Sequence, residues 1–251
     1  MKIIAALAFL GYAAATPMGK YEYDFIKFVA NHNKSYATKE EYAFRLNEFA
    51  KNAAFVASFE SDLQTVELNY MADWTQEEYN QLLGAKNIDY EGEYVQDPET
   101  KEHTVDWRKK GAVTPVKNQG NCGSSWAFSA SGALEASHFQ DKGVLTSFSE
   151  QQLIDCCTQG VGGCYRSDGC GSGFMFEALT YTQTYELEKE SDYPYVGYNQ
   201  YCHHRHREGG EGYTNNGIHM VEPRDKDAFK KSVAVGPTSI SVEADSPAFR
   251  F

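Results

Sequence analysis

Six cysteines, all confined to positions 122–202, constrain this 251-residue chain more than any other feature. They are Cys122, Cys156, Cys157, Cys164, Cys170 and Cys202. The first residues read MKIIAALAFLGYAAATP. Lys2 supplies a short positive start, Ile3 to Ala14 an apolar run too short to span a bilayer, and Ala13-Ala14-Ala15 small residues for cleavage. Residues 1–15 therefore read as a secretory signal peptide, in preference to a buried N-terminal helix. An even number of cysteines in an exported chain implies disulfides, and cross-links tie that stretch together. The competing use of Cys156, Cys157, Cys164 and Cys170 as a zinc site does not suit an oxidising compartment.

Composition narrows the function classes. With 41% hydrophobic and 14% aromatic residues the chain has enough apolar mass for a sizeable core. Its length fits one enzyme-sized domain, or a pro-segment plus a domain. A net charge of -12 argues against non-specific nucleic-acid binding and against docking on anionic lipid, both of which need a Lys/Arg surplus. No later apolar run reaches transmembrane length, so no membrane span is expected.

Residues 21–83 carry helical signals. Thr38-Lys39-Glu40-Glu41 and Thr75-Gln76-Glu77-Glu78 are capping boxes, and Gly84 is a plausible stop. Between them a long helix is expected from about Lys39 to Phe59. Glu41, Arg45, Phe49, Asn52 and Val56 fall on one of its faces, a packing stripe in the plain reading. Residues 88–103 are acidic, nearly free of aliphatics and interrupted by Pro98, and read as a protease-accessible linker. After it, a helix is expected to begin near Ser125 and end at Gly143, and Ser149 to cap a second, short helix that delivers Cys156. Gly236 to Val242 alternates apolar and polar residues as a strand does. Asn33-Lys34-Ser35 is a glycosylation sequon whose use is left open. The run Cys202-His203-His204-Arg205-His206 has metal-ligand residue types, but its arginine and flanking glutamates suit a solvated loop; no metal and no cofactor are expected.

Pro115 to Ser129, and above all Cys122-Gly123-Ser124-Ser125-Trp126, resembles the active-site segment of papain-like cysteine proteases of the cathepsin L type. The stripe Glu41, Arg45, Phe49, Asn52, Val56 is similar to the helical signature of that family's pro-segments, with Glu60 where the pattern ends in Asn. Asn69 and Asp73 resemble its companion motif, from which Glu67 and Met71 depart. Val105-Asp106-Trp107-Arg108 resembles the start of the mature enzyme, and Cys170-Gly171-Ser172-Gly173 the stretch beside the substrate cleft, with Ser172 in place of a glycine. The resemblance implies an α+β, two-subdomain fold, one part helical and the other a β-barrel that this chain only begins. It divides the chain into a signal peptide (1–15), a helical inhibitory pro-segment (20–84), an activation linker (85–103) and a C-terminally incomplete peptidase domain (104–251).

The resemblance also implies roles. Ser125 stands where the family has its nucleophilic Cys, at a helix N-terminus that favours an anion. Gln119 would offer its amide to the oxyanion. Gly173 would pair with the substrate backbone as an added strand. Phe174, Met175 and Ser241 match positions lining the pocket for the second residue before the scissile bond. Cys122 would pair with Cys170 and Cys156 with Cys202, leaving Cys157 and Cys164 for a small extra loop. Asp73, Glu41 and the acidic linker are candidates for sensing the acid that loosens the pro-segment. The family's base is a His 130–150 residues downstream of the nucleophile, with an Asn beyond it; counted from Ser125, that position lies past Phe251. His138, His203, His204, His206 and His219 are the other histidines of the mature part, and none is expected to substitute. The family function is peptide-bond hydrolysis, but a serine hydroxyl does not ionise near neutral pH, so an inactive precursor is expected. The alternatives are a pseudoprotease that binds peptides or protease inhibitors, and a serine-nucleophile hydrolase on the same scaffold. Expected partners are a polypeptide or inhibitor in the cleft and the chain's own pro-segment, in a monomer of the secretory pathway, extracellular or in a lysosome or vacuole.

Overall fold

The computed structural model describes residues 19–86, 90, 92, 94, 97–99, 104–203 and 212–251. The leader, most of the expected linker and the histidine run after His203 lie outside the described residues. The chain divides into two compact units, one running to Thr75 and joined by Phe251, the other running from Gln76 to Arg250.

In the first unit, α1 (Glu22–Asn31) and α2 (Lys39–Ser58) form where apolar residues recur at helical spacing. Phe25 and Phe28 of α1 bury against Phe49 and Ala53 of α2, with the Phe25 and Phe49 ring centroids 5.3 Å apart. Each such ring contributes about 1.5–3 kcal/mol of burial free energy. The first capping box forms with one shift: Thr38 Oγ1 accepts from the Glu41 N–H at 3.1 Å, while Glu41 Oε2 accepts from the N–H of Ala37, one residue before the N-cap, at 3.1 Å.

The α2 stripe has a definite target. Arg45 Nη1 donates to the Asp73 carbonyl at 3.2 Å, and Asn52 Nδ2 donates to the carbonyls of Ala72 (2.9 Å) and Trp74 (3.2 Å). These are carbonyls of a turn, which no ladder satisfies. Asn69 closes the same turn by accepting from the Met71 N–H at 2.9 Å. Asp73 is buried and accepts from Lys34 Nζ and the Tyr36 hydroxyl, each at 2.8 Å. Burial and the Asp73 carboxylate push the Tyr36 hydroxyl well above the usual tyrosine range. Val56, at the far end of the stripe, is half-buried.

The second unit contains α3 (Gln76–Asn80), β1 (Ala85–Lys86), α4 (Ser125–Lys142), α5 (Glu150–Cys156), β2 (Gly173–Phe174), α6 (Met175–Thr184), α7 (Lys226–Val235) and α8 (Pro247–Arg250). Residues 76–84 of the expected pro-segment thus fold with this unit. Its core gathers Trp126 and Leu134 of α4, Leu153 and Ile154 of α5, Tyr181 of α6, and Phe148 and Leu187 between them. Gly143 ends α4 in the left-handed region, its N–H on the Phe139 carbonyl at 2.8 Å. Ser149 caps α5 by accepting from the Gln152 N–H at 3.0 Å. Disulfides join Cys122 to Cys170, Cys156 to Cys202 and Cys157 to Cys164.

One element differs from expectation. Gly236 to Val242 is extended but is not a strand, because a strand needs a ladder partner and none meets it among the described residues. Side chains hold it instead. Ser129 Oγ of α4 lies 2.7 Å from Ser239 Oγ and donates to the Ile240 carbonyl at 3.1 Å, and Ser239 Oγ donates to Met175 Sδ at 3.2 Å. Ile240 and Val242 remain 50% and 57% exposed. The described residues likewise form no barrel: their one sheet is β1 beside β2, with three isolated antiparallel bridges, Phe148 to Lys189, Asp168 to Ser172 and Leu187 to Tyr213. Mostly helical with few strands, the described residues are consistent with the expected α+β fold and its incomplete β part.

Candidate functional site

The turn from Gln119 to Ser124 delivers the first residue of α4, Ser125, to the surface of the second unit. The Cys122–Cys170 disulfide and a hydrogen bond from the Gly123 N–H to the Cys170 carbonyl (2.9 Å) fasten this turn to the loop before β2. Ser124 is buried, its Oγ 2.9 Å from the Tyr195 hydroxyl, which in turn donates to the Gln119 carbonyl at 2.7 Å. Burial raises the Tyr195 hydroxyl above its ordinary range. Trp126 lies buried beneath the site and donates from Nε1 to the Gly169 carbonyl at 3.0 Å.

Ser125 is half-buried at the positive end of the α4 dipole. Among the described residues its hydroxyl makes no hydrogen bond, and no histidine faces it. His138, thirteen residues further along α4, lies about 20 Å away at the ordinary helical rise. Its Nδ1 is 2.9 Å from the Val144 carbonyl, and its ring packs on Phe148 and Tyr213. His203 lies beside Tyr193, and His219 is 4.0 Å from Asp97. His204 and His206 fall outside the described residues. No group of three or more His, Cys, Asp or Glu side chains among the described residues is arranged to hold a metal ion.

The Gln119 amide donates from Nε2 to two carbonyls, Cys122 at 2.8 Å and Leu82 at 3.0 Å. The second belongs to a segment that crosses the site. Gly84 gives its carbonyl to the Gly173 N–H at 2.9 Å, and β1 runs parallel to β2 with Ala85 opposite Gly173 and Lys86 opposite Phe174. The approach is possible only because side chains are missing. A Cβ on Gly84 would stand 1.7 Å from the Gly123 carbonyl oxygen, and a Cβ on Gly173 would stand 2.3 Å from the Trp126 ring. Gly173, expected to bind an extended backbone, thus holds one from within the chain.

Phe174 and Met175 sit at the start of α6. The Arg166 guanidinium lies over the Phe174 ring, 4.3 Å from its centroid. Met175 packs against the core and receives the Ser239 hydroxyl, and Ser241, two residues on, is half-buried in the extended segment. The loop that presents Phe174 is fixed by buried Glu177, which accepts from the Ser167 N–H (2.9 Å) and Oγ (2.7 Å) and from Arg166 Nε (3.2 Å).

Sequence reasoning missed one supporting cluster. Lys117 Nζ lies 2.6 Å from both Glu135 Oε1 and Glu150 Oε1, and Thr114 Oγ1 donates to Glu135 Oε2 at 2.6 Å. Ser131 also donates to Glu150. These contacts anchor the strand-like run that leads into Gln119, beside a cavity of about 350 Å³ bounded by Lys117, Phe128, Glu150, Glu190 and Tyr195. Burial alone would lower the Lys117 ammonium, but its two carboxylates outweigh that and hold it above the lysine range. Burial raises the Glu150 carboxyl, and the Lys117 ammonium and the Ser131 hydroxyl offset this only in part. Glu135 and Glu150 sit on different helices and share no motif with Lys117, so no local signal joins them.

Comparison with known proteins agrees with this geometry. Residues 101–251 match the model of the papain family cysteine protease, and residues 25–79 that of the cathepsin propeptide inhibitor domain. A cathepsin L-like peptidase of Aedes aegypti is 36% identical over 276 residues, covering 100% of this chain and 79% of the relative. Cathepsin L2 of Homo sapiens is 35% identical over 266 residues, covering 100% and 77%. Among solved structures, digestive procathepsin L 3 of the Tenebrio molitor larval midgut superposes with a TM-score of 0.73 at 31% identity, over 86% of this chain and 70% of that one.

Proposed function

The chain belongs to the papain family of cysteine proteases, in a precursor form that carries the cathepsin propeptide inhibitor domain, and from that premise we propose that its cleft holds extended polypeptide without cutting it by a thiolate mechanism. The observation that carries the reading is Ser125. A thiol at this helix N-terminus would be held as thiolate; a hydroxyl has to give its proton to a base during attack. Disabling one member of such a unit typically lowers the rate by about 10⁴ to 10⁶. The binding apparatus does not depend on sulfur. The Gln119 amide, the Ser125 N–H and the Gly173 backbone, which already pairs with an extended stretch of this chain, are all peptide-binding groups, and an oxyanion donor is worth roughly 3 kcal/mol wherever charge develops.

In this reading residues 20–84 are the inhibitory pro-segment, 85–103 the cleavable linker and 104 onward the binding domain. Residues 82–86 fill the cleft until the linker is cut. Phe174, Met175 and Ser241 select an apolar or aromatic side chain at the second residue before the peptide bond that faces Ser125. The competing ligands are extracellular or lysosomal polypeptides and protein inhibitors of the family, met after export through the secretory pathway. The test is hydrolysis of a fluorogenic peptide with phenylalanine at that position, at acid and neutral pH, comparing the chain with Ser125→Ala, each after cleavage in the linker and removal of the pro-segment. Equal, background-level signals are expected. Turnover that Ser125→Ala abolishes would overturn the reading in favour of a serine-nucleophile hydrolase.

A further inference from the structure

The sequence contains one Asn-X-Ser/Thr triplet, Asn33-Lys34-Ser35, and its geometry is specific. The triplet follows α1, where Asn33 adopts φ 50, the left-handed region, and the Lys34 N–H closes back on the Val29 carbonyl at 3.0 Å. Asn33 and Ser35 are both exposed, whereas Lys34 between them turns inward to Asp73 at 2.8 Å. Among the described residues neither the Asn33 amide nor the Ser35 hydroxyl makes a side-chain hydrogen bond. The middle residue therefore anchors the loop, while the acceptor amide and the hydroxyl of the triplet both face outward and are unengaged.

We propose that Asn33 carries an N-linked glycan. The inference rests on the reading that the chain is exported, since the modification is made in the secretory pathway. Attachment forms a bond between the Asn33 Nδ2 and an activated oligosaccharide donor, with loss of the donor's lipid pyrophosphate and of one amide proton. The Lys34–Asp73 contact is untouched, so the sugar and the folded loop are compatible. Asn33 lies in the pro-segment of that reading, so this glycan leaves with the pro-segment when the linker is cut.

The experiment expresses the full chain in a secretory eukaryotic host, once with its own leader and once behind an established replacement leader. The readouts are gel mobility and intact mass, before and after peptide N-glycosidase. The expected result is a single enzyme-sensitive glycan, lost in Asn33→Gln and Ser35→Ala and retained in Ser35→Thr, and found on the N-terminal fragment after cleavage in the linker. Because Ser35→Thr preserves the triplet while changing the same side chain, a folding defect is separated from loss of the acceptor. Secreted chain that carries no glycan behind the replacement leader overturns the proposal. A glycan that appears only behind the replacement leader supports the site and overturns the export reading instead.

Discussion

Lys117 shows what a single residue contributes to this site. Its ammonium bridges two buried carboxylates on two helices and so fixes the path of the chain into Gln119. Its folded pKa lies above the unfolded value of 10.5. A raised amine binds its proton more tightly in the folded state, so the stability it confers is complete below 10.5 and is lost as pH climbs through the folded pKa. Urea midpoints of the chain, minus those of Lys117→Met, should therefore be constant from pH 7 to about 10 and shrink above it. Within the plateau the variant should be destabilised by about 3–5 kcal/mol, because it strands Glu135 and Glu150 without a counter-charge. A difference that does not narrow at alkaline pH would show that packing, not charge, is the contribution of Lys117. Ser125 was legible at the same scale, because a helix start after a glycine-rich turn is a local signal. The Lys117 cluster was not, because its members are brought together only by tertiary packing.

At the scale of elements, helices and their caps were read well and pairings poorly. α2 is announced by its capping box and stripe, and α4 by the turn before it and Gly143 after it; each signal lies within a few residues of what it controls. The alternation at 236–242 is equally strand-like, yet no neighbour supplies a ladder, so the same pattern yields an extended segment bonded through Ser129 and Ser239. β1 is the reverse case. Nothing in Ala85-Lys86 reads as a strand, and it pairs because Gly84 fits against Gly123. Gly84→Ala should break that fit: the Gly173 amide, bonded to Gly84, should lose hydrogen-exchange protection while the α4–α6 core keeps it. Gly132→Ala, where a Cβ meets nothing within 4 Å, is the matched control. Unchanged protection at Gly173 in Gly84→Ala would show that β1 is held by contacts other than the fit of Gly84 against Gly123.

For the whole molecule, the disulfides decide how far the second unit resists unfolding. Cys156 and Cys202 close 46 residues, whereas Cys157 and Cys164 close 7. Loop-closure entropy assigns about 4 kcal/mol to the first and about 2 kcal/mol to the second. Replacing each pair by serines should therefore lower the urea midpoint more for Cys156/Cys202 than for Cys157/Cys164. The opposite order would mean that the short, glycine-rich loop is stabilised by its own packing on Tyr181 rather than by chain entropy.

The sequence by itself determined the family, the helical pro-segment with its capping box and stripe, and the helix that begins at Ser125. Each of these is written in contiguous residues, and short-range sterics and hydrogen bonds act over just that distance. Only the tertiary structure decided that Leu82 takes the Gln119 amide, that three glycines let residues 84–86 pair beside β2, that Lys117 holds two carboxylates, and that Asn33 faces outward while Lys34 does not. Those outcomes depend on groups tens of residues apart. What selects them is the removal of backbone carbonyls and charges from water, a cost settled by the whole packed unit rather than by any stretch of chain.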